Sequence, residues 1–135
     1  MYDEYEANVR IPAKVEVKEA ICYSKEELRQ IINAIECQKY KGVFLVIMLT
    51  GIPLSECLGL AHDKVDLDAG TATISQSLIY KDGKAILVEG CRNDNTYKIH
   101  LAKEAVKTLL AEKETQDMMR FIRCKKWSNP YNLFF

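Results

Sequence analysis

Lys81-Asp82-Gly83-Lys84 stands between two strand-like runs, residues 71–80 and 85–89. Asp-Gly supplies the two left-handed central positions of a tight hairpin turn, and no other short-range signal fixes an antiparallel pair as firmly. The patterns on either side are helical. Ser24-Lys25-Glu26-Glu27 has the form of a capping box, followed by Leu28, Ile31, Ile32 and Ile35 as one apolar stripe. After the β region, Ala105, Val106, Leu109 and Leu110 point inward on a helix expected from Ala102 to about Thr115. Its extension through Met118, Met119 and Ile122 stays open, and Ser128-Asn129-Pro130 ends it.

The rest of the chain follows from the same rules. Residues 1–21 mix charge with β-branched residues and Pro12, and read as a linker or arm ahead of a domain over 22–135. A polar break is expected over 38–42. The apolar run 43–49 fits a buried strand or a buried helix, since a continuous run has no diagnostic period, and composition favours strand. Thr50-Gly51 closes it, and Pro53 suits the first position of a new helix with Leu54, Leu58 and Ala61 facing inward. A short strand over 64–66, a turn at Asp68-Ala69-Gly70, and one long strand over 71–80 come next. In 96–101, Tyr97, Ile99 and Leu101 alternate with Lys98 and His100. Helices, a small antiparallel three-stranded sheet and a final helix make an α+β fold.

At 135 residues the chain is the size of one domain. Five scattered cysteines without a Cys-x-x-Cys pair argue against a disulfide scaffold or a zinc ribbon, and the expectation is a cytoplasmic protein with reduced thiols. Cys57 and His62 lack further ligands at usable spacing, so no metal is expected. The longest apolar run, seven residues, is far too short to span a bilayer. Net charge is zero but unevenly spread. Residues 1–80 carry 8 Lys/Arg against 12 Asp/Glu, and residues 81–135 carry 11 against 7. The basic segment Arg120, Arg123, Lys125, Lys126 permits a phosphate-contacting face, the alternative being a solvated helix and tail.

The run Leu49-Thr50-Gly51-Ile52-Pro53-Leu54-Ser55-Glu56-Cys57-Leu58-Gly59-Leu60, followed by Val65-Asp66-Leu67 and Gly70, resembles the first half of the catalytic domain of phage integrases, the tyrosine recombinases. That family reads Thr-Gly-x-Arg-x-Ser-Glu-x-x-x-Leu here, then a short Asp-hydrophobic-Asp strand. The closing Asn132-Leu133-Phe134-Phe135 resembles its apolar segment before the next catalytic motif. The resemblance covers about residue 20 onward. It implies helix for residues 43–49.

It also implies a chemistry. Such enzymes attack a phosphodiester with a Tyr hydroxyl, leaving a 3′-phosphotyrosyl bond and a free 5′-hydroxyl without a metal. Two Arg and a His/Lys set steady the phosphorane, and the Lys protonates the leaving oxygen. In this chain the first Arg position is held by Pro53. Anchoring Ile99-His100-Leu101 on the family's Ile-Pro-Leu puts Cys91 at the Lys position and Asn95 and Tyr97 at the following Ser and Arg. Arg92, one residue on, offers a positive charge if the loop differs in length, but with a pKa above 12 it is a poor general acid. Glu56 matches the family's acid and has lost its Arg. His-x-x-Arg and the nucleophilic Tyr are not found and are expected beyond Phe135. Tyr131 matches the segment before that motif, and His62 and His100 are expected to be structural.

The resulting expectation is a fragment of a tyrosine-recombinase family protein, associated with DNA integration and recombination, without strand-transfer activity of its own. The alternative is a DNA-binding or protein-interaction module derived from an integrase. Candidate phosphate contacts are Lys81, Lys84, Arg92 and Lys98 on the sheet and Arg120, Arg123, Lys125 and Lys126 beyond it. Trp127 either stacks on nucleic acid or covers the core edge. Expected partners are DNA and recombinase subunits, the latter through an exposed Leu133-Phe134-Phe135, with no membrane and no small-molecule cofactor.

Overall fold

A computed structural model describes residues 22–35, 38–91 and 95–135. The expected arm over 1–21 and Arg92 lie outside the described residues. Helix α1 (Lys25–Ala34) starts where the capping box puts it. The Glu27 amide donates to Ser24 Oγ at 3.3 Å, and the Ser24 amide donates to Glu27 Oε2 at 2.8 Å. The Ser24 amide and hydroxyl, both donating to Glu27 Oε2, hold that carboxyl below its ordinary pKa. The apolar stripe is only partly covered, however. None of the α1 residues is fully buried, and Ile31 is exposed.

Helix α2 (Gln38–Thr50) corrects the expected break at 38–42 and settles the apolar run as helical. Polar residues lead into its first turns because the helix enters from solvent, and Val43 and Val46 then reach the core. Gly42 lies against the Glu112 carboxyl of the last helix, and burial there raises that group's pKa. Gly51, at φ 72°, reverses the chain after α2.

Helix α3 (Leu54–Leu58) has five residues, little more than one turn. Pro53 sits just before it, not at its first position, and its carbonyl accepts from the amides of Glu56 and Cys57 at 3.1 and 2.9 Å. The expected inner face is wrong in one respect. Leu54 is 55% exposed, while Glu56 and Cys57 are buried, and Ala61 lies past the helix.

The β region divides in two. Strands β1 (Val65–Asp66), β2 (Thr71–Ile74) and β5 (Tyr97–His100) form an antiparallel sheet ordered β1-β2-β5, with Ala72 opposite Ile99 and Ile74 opposite Tyr97. Strands β3 (Gln76–Lys81) and β4 (Lys84–Glu89) form a separate ribbon around Asp82 (φ 51°) and Gly83 (φ 76°), the expected hairpin. The single strand expected over 71–80 therefore breaks at Ser75, where the chain leaves one sheet for the other.

Helix α4 (Lys103–Arg123) is continuous through the extension left open by the sequence. Its Ala105 and Leu109 are fully buried, and Leu109 joins Val46, Ile74 and Phe134 in the core. The C-terminal residues return to the core. Leu133 bridges Ala61, the Phe134 amide donates to the Leu60 carbonyl at 3.0 Å, and the Phe134 ring packs on His62 with centroids 3.9 Å apart. Leu133 and Phe134 are 5% and 1% exposed, so the open patch expected there does not exist. Among the described residues no helix is long and apolar enough to cross a membrane.

Candidate functional site

The close approach of α3 to β3 creates a cleft. Gly59 makes it possible, since a Cβ there would meet the Gln76 carbonyl oxygen at 2.8 Å and Ser77 Cα at 2.9 Å. The Gln76 side-chain amide donates to the Gly59 carbonyl at 2.8 Å and fastens the two elements. The helix then presents Pro53, Ser55 and Glu56 on one wall. The ribbon supplies Ser77, Ile79, Val88 and Glu89 on the other, with Gly90 and Cys91 at the end. The space enclosed is about 420 Å³.

Two residues far apart in sequence, Pro53 and Cys91, thus line one cleft. Pro53 has no N–H and offers no donor. The Cys91 thiol donates to the Ile74 carbonyl at 3.2 Å, and burial, reinforced by the Glu56 charge, raises its pKa. A thiol held neutral in this way carries no cationic charge into the cleft. Cys57, beneath the helix, is pushed up to about 12 by burial and is chemically inert.

Glu56 is the buried charge of the site, 3% exposed. The Tyr97 hydroxyl, delivered by β5, donates to its Oε2. Burial first, then this bond and the carboxylate's charge, raise the Tyr97 pKa. The residue that the resemblance places at an Arg position is therefore a neutral donor to the same carboxylate. Sequence reasoning missed this pairing, and it also missed Glu89, Ser55 and Ser77 as cleft residues. The period-2 pattern of β5 put Tyr97 on one side with Ile99 and Leu101, but nothing local tied it to Glu56.

The cationic candidates fall in separate places. Lys81 and Lys84 face each other across the hairpin turn, and Lys98 is exposed on β5 opposite Thr73. Arg120 and Arg123 are exposed at the end of α4, with Lys125 and Lys126 exposed in the 3₁₀ turn Cys124–Lys126. None of these seven lines the cleft. Trp127 is half-buried, and Tyr131 is 47% exposed.

His62 and Asn129 have structural partners. Gln116 on α4 donates through Nε2 to the carbonyls of Leu133 and Phe134 at 3.0 and 2.6 Å. Its Oε1 lies 3.0 Å from His62 Nε2 and accepts from Asn129 Nδ2 at 3.3 Å. His62 Nε2 thus serves as a donor in this knot. Among the described residues no group of three or more His, Cys, Asp or Glu could hold a metal ion.

No protein-family model and no curated protein matches this chain. Solved structures do match. The integrase of the Tn1549 transposon in complex with transposon right-end DNA superposes with a TM-score of 0.65 at 16% identity, over 75% of this chain and 34% of that one. A second structure of that integrase, with a circular-intermediate DNA, gives 0.63 at 17% identity over 87% and 36%. The crystal structure of XerA recombinase gives 0.59 at 16% over 87% and 35%. At these identities the likeness is one of fold: the α+β arrangement is that of tyrosine-recombinase structures, and the chain spans about a third of their length.

Proposed function

We propose that this chain is an integrase-type domain portion that meets DNA without performing strand transfer. The observation that carries the reading is the composition of the cleft. The two positions that the resemblance assigns to an Arg and a Lys, Pro53 and Cys91, meet there, and the described lining residues include Glu56 and Glu89 but no Lys or Arg. In a working site of this family, cationic donors stabilise charge that develops on the non-bridging phosphate oxygens. Each such donor removed costs on the order of 3–4 kcal/mol of transition-state stabilisation, or about 100- to 1000-fold in rate. Two carboxylates lining the same space oppose the approach of a phosphodiester through Coulomb repulsion, which low-dielectric surroundings strengthen.

Neither Tyr97 nor Tyr131 is poised to attack. A nucleophilic phenol needs an accessible oxygen and help in losing its proton. The Tyr97 hydroxyl is committed to a carboxylate that raises its pKa. Tyr131 lies in the C-terminal segment, apart from the cleft-lining residues. The fold supports DNA as the partner, because the Tn1549 integrase that shares it is seen in complex with DNA. The basic positions at the hairpin tip, on β5 and past α4 are the candidate phosphate contacts, together with Arg92.

A nicked suicide DNA duplex tests the reading directly, since its broken strand traps any phosphotyrosyl intermediate. Incubated with this chain and run on a denaturing gel, it is expected to give no slower-migrating protein band. A covalent adduct would overturn the proposal.

A further inference from the structure

We propose that the distal end of α4 is a dimer contact, in which two copies of this chain pair antiparallel through Met118, Phe121 and Ile122. The pairing sets Glu114 of each copy against the basic turn Cys124–Lys126 of the other. This contact is independent of the strand-transfer reading.

Helix α4 outruns the body of the protein. Gln116 is its last residue with an inward bond, and from Asp117 to Arg123 every residue is exposed. Two unsupported turns are not stable in water by themselves, because most helical stability comes from packing an apolar face. Here the apolar face is present and bare. Phe121 is 83% exposed, Ile122 65% and Met118 64%, and their i, i+3, i+4 spacing puts them on one side of the helix. A contiguous apolar patch rimmed by polar residues marks an interaction surface.

The order of charges selects the occupant. Glu114 lies four residues before Met118, and Lys125 lies four residues after Phe121. A second copy in antiparallel register turns this asymmetry into two equivalent acid–base contacts, as a twofold interface requires. The helix macrodipoles are also opposed favourably in that arrangement. A parallel copy would set base on base. A nucleic acid would engage Arg120, Arg123, Lys125 and Lys126 and leave the apolar patch uncovered, whereas a second copy covers the patch and pairs the charges. The surface offered is at the small end for a specific interface, so the dimer is transient and concentration-dependent.

Sedimentation velocity of the full chain without DNA, from low micromolar to several hundred micromolar, is the test. A monomer–dimer equilibrium is expected. Phe121→Asp should raise its dissociation constant at least about tenfold while leaving the melting temperature unchanged, because the ring touches solvent. Glu114→Lys alone should also weaken it. Combining Glu114→Lys with Lys125→Glu and Lys126→Glu should restore it, since the swap keeps the two surfaces complementary. A chain that stays monomeric throughout, a dimer indifferent to Phe121→Asp, or monomers that instead sediment with anionic vesicles would each overturn the proposal.

Discussion

Glu56 and Tyr97 form the contact on which the cleft's character turns. A carboxylate 3% exposed needs donors, and the phenol supplies one from strand β5. Tyr97→Phe removes it and is expected to cost about 1–3 kcal/mol, read as a lower melting temperature at neutral pH. The pH dependence carries a sign. The folded-state pKa of Tyr97 is raised above its ordinary value of 10.0, so the phenol's contribution is intact below pH 10 and is lost as pH rises beyond it. The gap between wild type and Tyr97→Phe should therefore be flat through neutral pH and close in strong alkali. A gap that widened there would contradict the assignment. The sequence identified Glu56 by its place in a motif, but its partner was hidden because their contact is made by tertiary packing across 41 positions. Leu54 misled in the opposite direction. An apolar residue at a helix start reads as core, yet here the burial goes to Glu56, which faces the ribbon.

Between elements, the decisive junction is where α3 meets β3. Gly59→Ala drives a methyl into the Gln76 carbonyl and the Ser77 backbone, neither of which can swing away. A loss of about 1–3 kcal/mol is expected, measured by urea denaturation. The second junction is the Gln116 knot. Gln116→Ala removes both bonds to the carbonyls of Leu133 and Phe134, and the Phe134 amide, bonded to Leu60, should then exchange with solvent deuterium much faster. Unchanged protection would show that the Asn129 bonds to Leu133 and the ring packing on His62 hold the segment without Gln116. The hairpin and the start of α1 were legible because Asp-Gly and the capping box act within four residues. The division of residues 71–80 was not. Ser75 carries no breaker signal, and the change of sheet there is imposed by where β5 and β4 lie. The polar start of α2 was misread for the same reason: its helical state is set by Val43 and Val46 further on.

For the whole molecule, the question is electrostatic. A neutral chain with cations gathered on a hairpin tip, on β5 and past α4 should bind duplex DNA weakly and lose affinity steeply with salt. Each phosphate contact contributes about −0.9 to the slope of log K against log salt. Fluorescence anisotropy over about 50–200 mM salt should give a slope of several units, reduced by Lys81→Ala with Lys84→Ala. A flat response would remove DNA from the partners. The fold class was readable because each level of pattern agreed on α+β, whereas the cleft needed the three-dimensional meeting of α3 with the ribbon before its sign of charge could be seen.

The glycine seam at residue 59 has a practical corollary. It sets the spacing of one wall against the other by close backbone approach and the Gln76 amide bond, independent of which side chains look into the gap. An engineer wishing to change what this cleft admits would inherit a fixed spacing, and the task would reduce to repainting its polarity.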